Sequence, residues 1–212
     1  MVKLEPQKIN QIYDYLNNEN VPLKPADGAF VFCRIDPLVS ARASELYNSG
    51  LVSYIMFTGG IGKDSGYLAE LQIPEAKFQA ALANSIHKVP SENIYIEPNA
   101  KNGGQCCEYG IRTILQNNLP HKDLTIVVRP TSLRRTDAVL KLKSEQLDFK
   151  ANYQRTRTKY QFNPENPTDY KEAIAELIRI TDWPYHKDKN GNPEPWALPQ
   201  SDLPLDLVQY AR

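Results

Sequence analysis

Four times along this chain, an apolar strand-like run gives way to a short polar or glycine-bearing loop, and a stretch of helical period follows. The runs cover residues 29–33, 54–58, 94–96 and 125–128. The loops are Arg34-Ile35-Asp36-Pro37, Gly59-Gly60-Ile61-Gly62-Lys63, Asn99-Ala100-Lys101-Asn102-Gly103-Gly104-Gln105 and Arg129-Pro130-Thr131-Ser132-Leu133-Arg134-Arg135. Short, continuous apolar runs are the mark of strands buried on both faces. Strands alternating with helices predict an α/β fold, here a Rossmann-like three-layer α/β/α sandwich with a mostly parallel sheet of about five strands. Right-handed crossovers cover both faces of such a sheet with helices. The loops leaving the carboxyl ends then meet on one rim, where ligands bind.

Further elements fit this frame. Ile9, Ile12, Tyr13 and Leu16 recur at helical spacing after Pro6, which predicts an N-terminal helix on the core. Helices are expected at about 37–47, from Pro74 with Glu75 in the first turn, after Gly104, and at about 132–146. Residues 149–153 are the candidate fifth strand, and Tyr170, Ile174, Leu177 and Ile178 mark a last amphipathic helix. From Trp183 onward, Pro184, Pro193, Pro195, Pro199 and Pro204 break any long element. The expected organisation is one Rossmann-like domain over residues 1–182 and a proline-rich tail, 183–212, pinned by Trp183, Trp196 and Leu205.

Composition excludes several classes. Lys+Arg and Asp+Glu both number 25 in 212 residues, so the formal net charge is zero. Nucleic-acid binding through counterion release needs clustered basic charge. The densest basic stretch, Arg155, Arg157 and Lys159 alternating with Thr156 and Thr158, reads as a charged strand edge, so no nucleic-acid partner is expected. Cys33, Cys106 and Cys107 are odd in number and lack metal spacing, which favours a reducing, cytoplasmic setting over a disulfide framework. No run is apolar and long enough to span a membrane. The opening Met1-Val2-Lys3-Leu4-Glu5-Pro6 lacks the apolar core of a signal peptide. His87, His121 and His186 are far apart, and neither a zinc motif nor a serine elbow is present. The sequence carries no signal for an oligomeric state.

The loops carry the chemistry. Gly59, Gly60 and Gly62 leave a buried strand at once, so their N–H groups are open to a nest for anions, with a tight turn as the alternative. Neither a dinucleotide fingerprint nor a Walker loop is present. Arg134 and Arg135 fall in the first turn of a helix, where a cation is unfavourable by roughly 0.3–1 kcal/mol. With Arg129 just before them, they would repel one another unless an anion or Asp137 intervened. Bidentate recognition of phosphate or carboxylate is the special ability of arginine. The turn Asn102-Gly103-Gly104-Gln105 starts a helix and offers either amides for an anion or a simple Asx cap. Glu75 is either a helix-dipole carboxylate or a partner for the arginines or a sugar hydroxyl.

Taken in order, these pieces resemble the YdcF/SanA/ElyC family, a bacterial domain of unknown function, in its YdcF-like branch. The resemblance rests on Phe57-Thr58-Gly59-Gly60-Ile61-Gly62, on Glu75-Ala76, on Ile94-Tyr95-Ile96-Glu97 with Asn102-Gly103-Gly104, and on the run from Val127 to Thr136, and it covers about residues 29–145. It implies a Rossmann-like fold with a polar cleft at the strand ends and a small anionic or nucleotide-like ligand, S-adenosylmethionine being one candidate cofactor. The expected ligand-binding set is Thr58, Gly59, Gly60, Gly62, Lys63, Glu75, Asn102, Gly103, Gly104, Gln105, Arg129, Thr131, Arg134 and Arg135, with no metal. Arg34 and Ile35 stand where the family has glycine and often asparagine. Gln105 and Cys106 stand where it has glutamate and asparagine. An enzyme acting on the ligand, a binding or regulatory module without chemistry, and a phosphoester or pyrophosphate hydrolase are the functions this set allows.

Overall fold

A computed structural model describes residues 5–63 and 65–212; Asp64 and Met1 to Leu4, the start of the segment read above as lacking a signal peptide, lie outside the described residues. Helix α1 (Pro6–Leu16) opens the chain. Then come β1 (Gly28–Phe32), α2 (Leu38–Asn48), β2 (Tyr54–Thr58), the short α3 (Tyr67–Glu70) and α4 (Glu75–Ser85). They are followed by β3 (Ile94–Glu97), α5 (Gly103–Gln116), β4 (Asp123–Val128) and α6 (Leu133–Gln146). The last elements are β5 (Asn152–Arg157), α7 (Pro167–Asp182) and α8 (Leu205–Ala211). The strands form one parallel sheet in the order β3-β2-β1-β4-β5. This is the expected layered α/β architecture. The order reverses between β1 and β4, so the crevice beyond Phe32 and Val128 is the topological switch point.

Alternation along the strands sorts the core into two layers, because successive side chains point to opposite faces. Phe30, Phe32, Met56, Ile126 and Val128 pack with Cys107, Ile111 and Ile114 of α5 and Leu133, Val139 and Leu140 of α6. Ala29, Val31, Ile55, Phe57 and Val127 pack with Val39, Ala43 and Leu46 of α2 and Ala76, Ala80 and Ala83 of α4. Fully burying one such Phe or Ile is worth roughly 1.5–3 kcal/mol. A third cluster lies apart from the sheet: Ile9, Ile12 and Leu16 of α1 meet Ala173, Leu177 and Ile180 of α7 and Leu207 and Val208 of α8.

Three expectations change. The fifth strand starts at Asn152 rather than residue 149, because Phe149 is drawn into the α5–α6 layer, at 4% exposure, before the chain becomes extended. The tail is not merely extended. It carries a Lys187–Pro193 bridge and α8, and Ala197 is buried against the main core. The inner face of α7 is also more polar than expected: Asp169 and Glu176 are buried there, at 2% each, beside Ala173, Leu177 and Ile180. No helix among the described residues is long and apolar enough to cross a membrane.

Candidate functional site

Helix α7 lays three carboxylates against the carboxyl rim of the sheet. Glu172 sits at the switch point. Its Oε1 accepts from Arg34 Nη1 at 2.6 Å and from the Thr131 hydroxyl at 3.0 Å, and its Oε2 accepts from Arg129 Nη1 at 2.6 Å. Arg34 follows β1 while Arg129 and Thr131 follow β4, so one carboxylate ties together the two loops that diverge there. Asp169 adds a contact to Arg129 Nη2 at 3.4 Å, and the Arg129 guanidinium lies 3.8 Å over the Tyr160 ring. Glu176 accepts from Arg135 Nε, from Arg135 Nη2 at 3.1 Å, from the Ser132 hydroxyl at 3.3 Å and from Arg179 Nη1 at 2.9 Å. Burial pushes the Glu176 carboxyl up, but Arg135, Arg179 and Arg34 outweigh it and hold it below its ordinary value.

The arginine cluster is therefore compensated from inside. Residues 169, 172 and 176 share one helix face by their spacing of three and four. That acidic stripe is the signal in the sequence, and it lies beside the apolar positions Ala173, Leu177 and Ile180 that the helical period picks out. Arg34, just after β1, is held at the rim by Glu172.

Of the two readings of the glycine loop, an anion nest and a tight turn, its bonding fits the turn. Gly59 N–H donates to the Glu97 carbonyl at 3.0 Å, Gly60 N–H to the Ala100 carbonyl at 2.7 Å, and Gly62 N–H to the Ser65 hydroxyl at 2.8 Å. With those donors engaged, the loop is a packed turn. A Cβ on Gly60 would meet the carbonyl oxygens of Ala100 and Pro98 at 2.7 Å. Gly59 has φ +148°, and a Cβ there would touch Cys33 and Glu75. Glu75 accepts from the Ser65 hydroxyl at 2.8 Å. Thr58 donates from its hydroxyl to Glu97 at 3.2 Å and to the Cys106 carbonyl at 3.1 Å. Glu97 also accepts from the N–H groups of Asn99 and Ala100, at 2.7 and 3.2 Å, and so fixes the loop that leads to α5. Lys63 is exposed.

Arg134 faces elsewhere. Its Nε donates to the Tyr15 carbonyl at 2.9 Å, its Nη1 reaches both Asp202 oxygens at 2.8 and 2.9 Å, and its guanidinium stacks 4.0 Å over the Tyr15 ring. It ties α6 to α1 and the C-terminal segment. Consecutive helix positions point about 100° apart, so Arg134 and Arg135 do not share one anion.

The first turn of α5 retains what the other loops have committed. Asn102 is its N-cap, accepting from Gln105 N–H at 3.0 Å, while the Gln105 side chain accepts from Lys101 N–H at 2.8 Å. Gly103 and Gly104 belong to the first turn, whose N–H groups have no intrahelical partners. Arg135 Nη1 lies against this turn, 3.2 Å from where a Cβ on Gly103 would stand. Its Nε and Nη2 are held by Glu176, so the remaining edge of the guanidinium is aimed by the pair it makes on the other side. Burial lowers the affinity of Arg135 for its proton, and Glu176 more than restores it.

Three buried thiols lie in the two core layers beneath the rim, Cys106 and Cys107 in one and Cys33 in the other. Cys33 ends the first apolar run, and Cys106 and Cys107 lie in the first turns of α5, all reduced and buried. Burial pushes Cys106 up to about 12, with Glu97 and Glu75 adding to the shift while Thr58 and Arg135 oppose it. Burial raises Cys33 as well, and its neighbours Cys106 and Glu75 raise it further.

Two cavities flank the rim. One, of about 510 Å³, lies beyond β5 near Arg157 and Tyr160. The other, of about 400 Å³, lies at the edge strand β3 near Glu97, Asn99 and Tyr109. Neither is lined by Gly59, Gly60 or Arg135. The rim arginines are held by internal pairs, Arg129 by Glu172 and Asp169 and Arg135 by Glu176. Compared with models of protein families and with curated protein sequences, the chain matches none.

Proposed function

We propose that this chain is a small-molecule-binding domain that takes a small anionic, nucleotide-like ligand at the first turn of α5, against Arg135. The observation that carries this reading is Arg135 Nη1 lying 3.2 Å from the Cβ position of Gly103. First-turn amides and the helix dipole favour an anion there, and a guanidinium edge doubles the attraction. Glycine at 103 and 104 leaves room for an oxygen to approach the backbone. The resemblance to the YdcF-like branch points to the same turn and makes S-adenosylmethionine, through its carboxylate, one ligand to test.

Binding without turnover is the form of this reading that the site favours. Cys33 and Cys106 are held protonated by burial, and the thiolate is the nucleophile. Glu97 is engaged by two backbone N–H groups and Thr58. The hydrolase reading drew on Arg129, Arg134 and Arg135 facing substrate; Arg129 instead pairs with Glu172 and Asp169, Arg134 with Asp202 and Arg135 with Glu176.

A thermal-shift panel of nucleotides, sugar phosphates and S-adenosylmethionine tests the proposal. A ligand at one hundred times its Kd stabilises by about 2.7 kcal/mol. The expected result is stabilisation by at least one anion that Gly103→Ala reduces. Stabilisation untouched by Gly103→Ala would move the site elsewhere.

A further inference from the structure

The cavity beyond β5 lies outside the candidate site and is built differently. Its volume of about 510 Å³ falls in the range of small-molecule pockets, roughly 300–1,000 Å³. Three cations line it: Arg42 from α2, Arg157 at the end of β5, and Lys159 just after. Two carboxylates answer them. Glu19 lies 3.3 Å from Arg157 Nε and 3.8 Å from Arg42 Nη2. Glu45 lies 3.0 Å from Arg42 Nη1 and 3.2 Å from Lys159 Nζ. Among these five groups one positive charge is left over.

One wall is apolar. The Tyr13 ring stacks on Phe162 at 4.1 Å and 13°. Arg157 Nη1 donates to the Tyr13 hydroxyl at 3.2 Å, which places the guanidinium at the end of that wall. Thr158 also lines the cavity. It is 1% exposed, and its hydroxyl has no hydrogen-bond partner among the described residues. The hydroxyl itself has no accessible surface, so Thr158 meets the cavity through its other atoms.

We propose that this cavity binds a small organic monoanion, a carboxylate carried on a flat apolar ring. The carboxylate lies by Arg157 and Lys159, and the ring runs along Tyr13 and Phe162. The leftover charge selects the class. A carboxylate cancels it, whereas a phosphate monoester dianion would leave a negative charge uncompensated in a half-buried site. Arginine's planar fork matches a carboxylate in particular.

Titration of the isotope-labelled full chain with indole-3-carboxylate, followed by amide NMR shifts, tests this. Saturable shifts are expected at Tyr13 and residues 157–162. Neutral indole should bind about tenfold or more weakly, as expected from the loss of one charged hydrogen bond. Adenosine monophosphate, as a dianion, should also bind more weakly than the carboxylate. Arg157→Gln should weaken the carboxylate by about tenfold. Lys159→Gln, at an exposed side chain on the cavity wall, should also weaken the carboxylate while thermal stability holds. Lys150→Gln, at a remote exposed position, controls for general charge. No saturable shift with the carboxylate, equal binding of indole, tighter binding of the nucleotide, or shifts remote from the cavity would each overturn the assignment.

Discussion

Arg135 and Glu176 form a two-point ion pair, Nε and Nη2 of the one on the carboxylate of the other, and the pair turns the third guanidinium nitrogen toward Gly103. The Glu176 side chain is 3% exposed and that of Arg135 14%. The pair therefore positions the donor that meets the ligand as well as joining α6 to α7.

Breaking it from either end leaves a buried charge. Glu176→Ala should destabilise by about 3–5 kcal/mol in urea unfolding, because Arg135 and Arg179 lose a shared acceptor. The same pair sets a pH dependence. The Glu176 carboxyl in the folded protein titrates below its ordinary 4.5, so its contribution is fully present above that value. It is lost as pH falls from 4.5 through the lower folded value. The unfolding temperature of the native chain should drop across that acid window, and Glu176→Gln should flatten the drop.

Gly60 is required by packing rather than by ligand. Its Cβ position is blocked by two carbonyl oxygens at 2.7 Å, and backbone oxygens cannot swing aside as a side chain does. Gly60→Ala should cost about 1–3 kcal/mol of stability, as overpacking does, measured by urea unfolding.

Arg134 secures the C-terminal segment through Asp202 and the Tyr15 carbonyl. Arg134→Gln should speed limited proteolysis after residue 183, with the fragment pattern read by mass spectrometry. An unchanged rate would mean that Trp183, stacked edge-on with Trp196, and the α8 contacts suffice.

The three thiols should resist modification in the native chain. Burial raises all of them, so the reactive thiolate is scarce and access is blocked. At pH 8 a thiol reagent should label them slowly, and at once after denaturant is added. Rapid native labelling of Cys106 would contradict the buried placement.

The layered fold was legible because buried parallel strands announce themselves as unbroken apolar runs. The runs at 29–33 and 54–58 are matched nearly residue for residue by β1 and β2. The loops were legible as loops but not in their bonding. Whether the Gly59 and Gly60 amides are open depends on Glu97 and Ala100, some forty residues away, and no local pattern encodes that pairing. The fate of the arginines was hidden for a similar reason. Asp169, Glu172 and Glu176 are legible as one helical face, but which face of the sheet's rim they meet is decided by α1 and α8 packing on α7. Arg134 shows the limit most sharply: its neighbour in sequence faces the rim, while it faces the tail.

The proposed site is the space between Gly103 and Arg135 Nη1, and Gly103→Ala fills it: the new Cβ stands 3.2 Å from Nη1, so the guanidinium held by Glu176 must give by a few tenths of an ångström. Calorimetric titration of the native and Gly103→Ala chains, with the best anion from the panel, is the direct test. Affinity should fall by about tenfold or more, with urea stability changed by no more than about 1 kcal/mol, since the helical preference of alanine over glycine opposes the crowding of Arg135. Equal affinity in the two chains would contradict it.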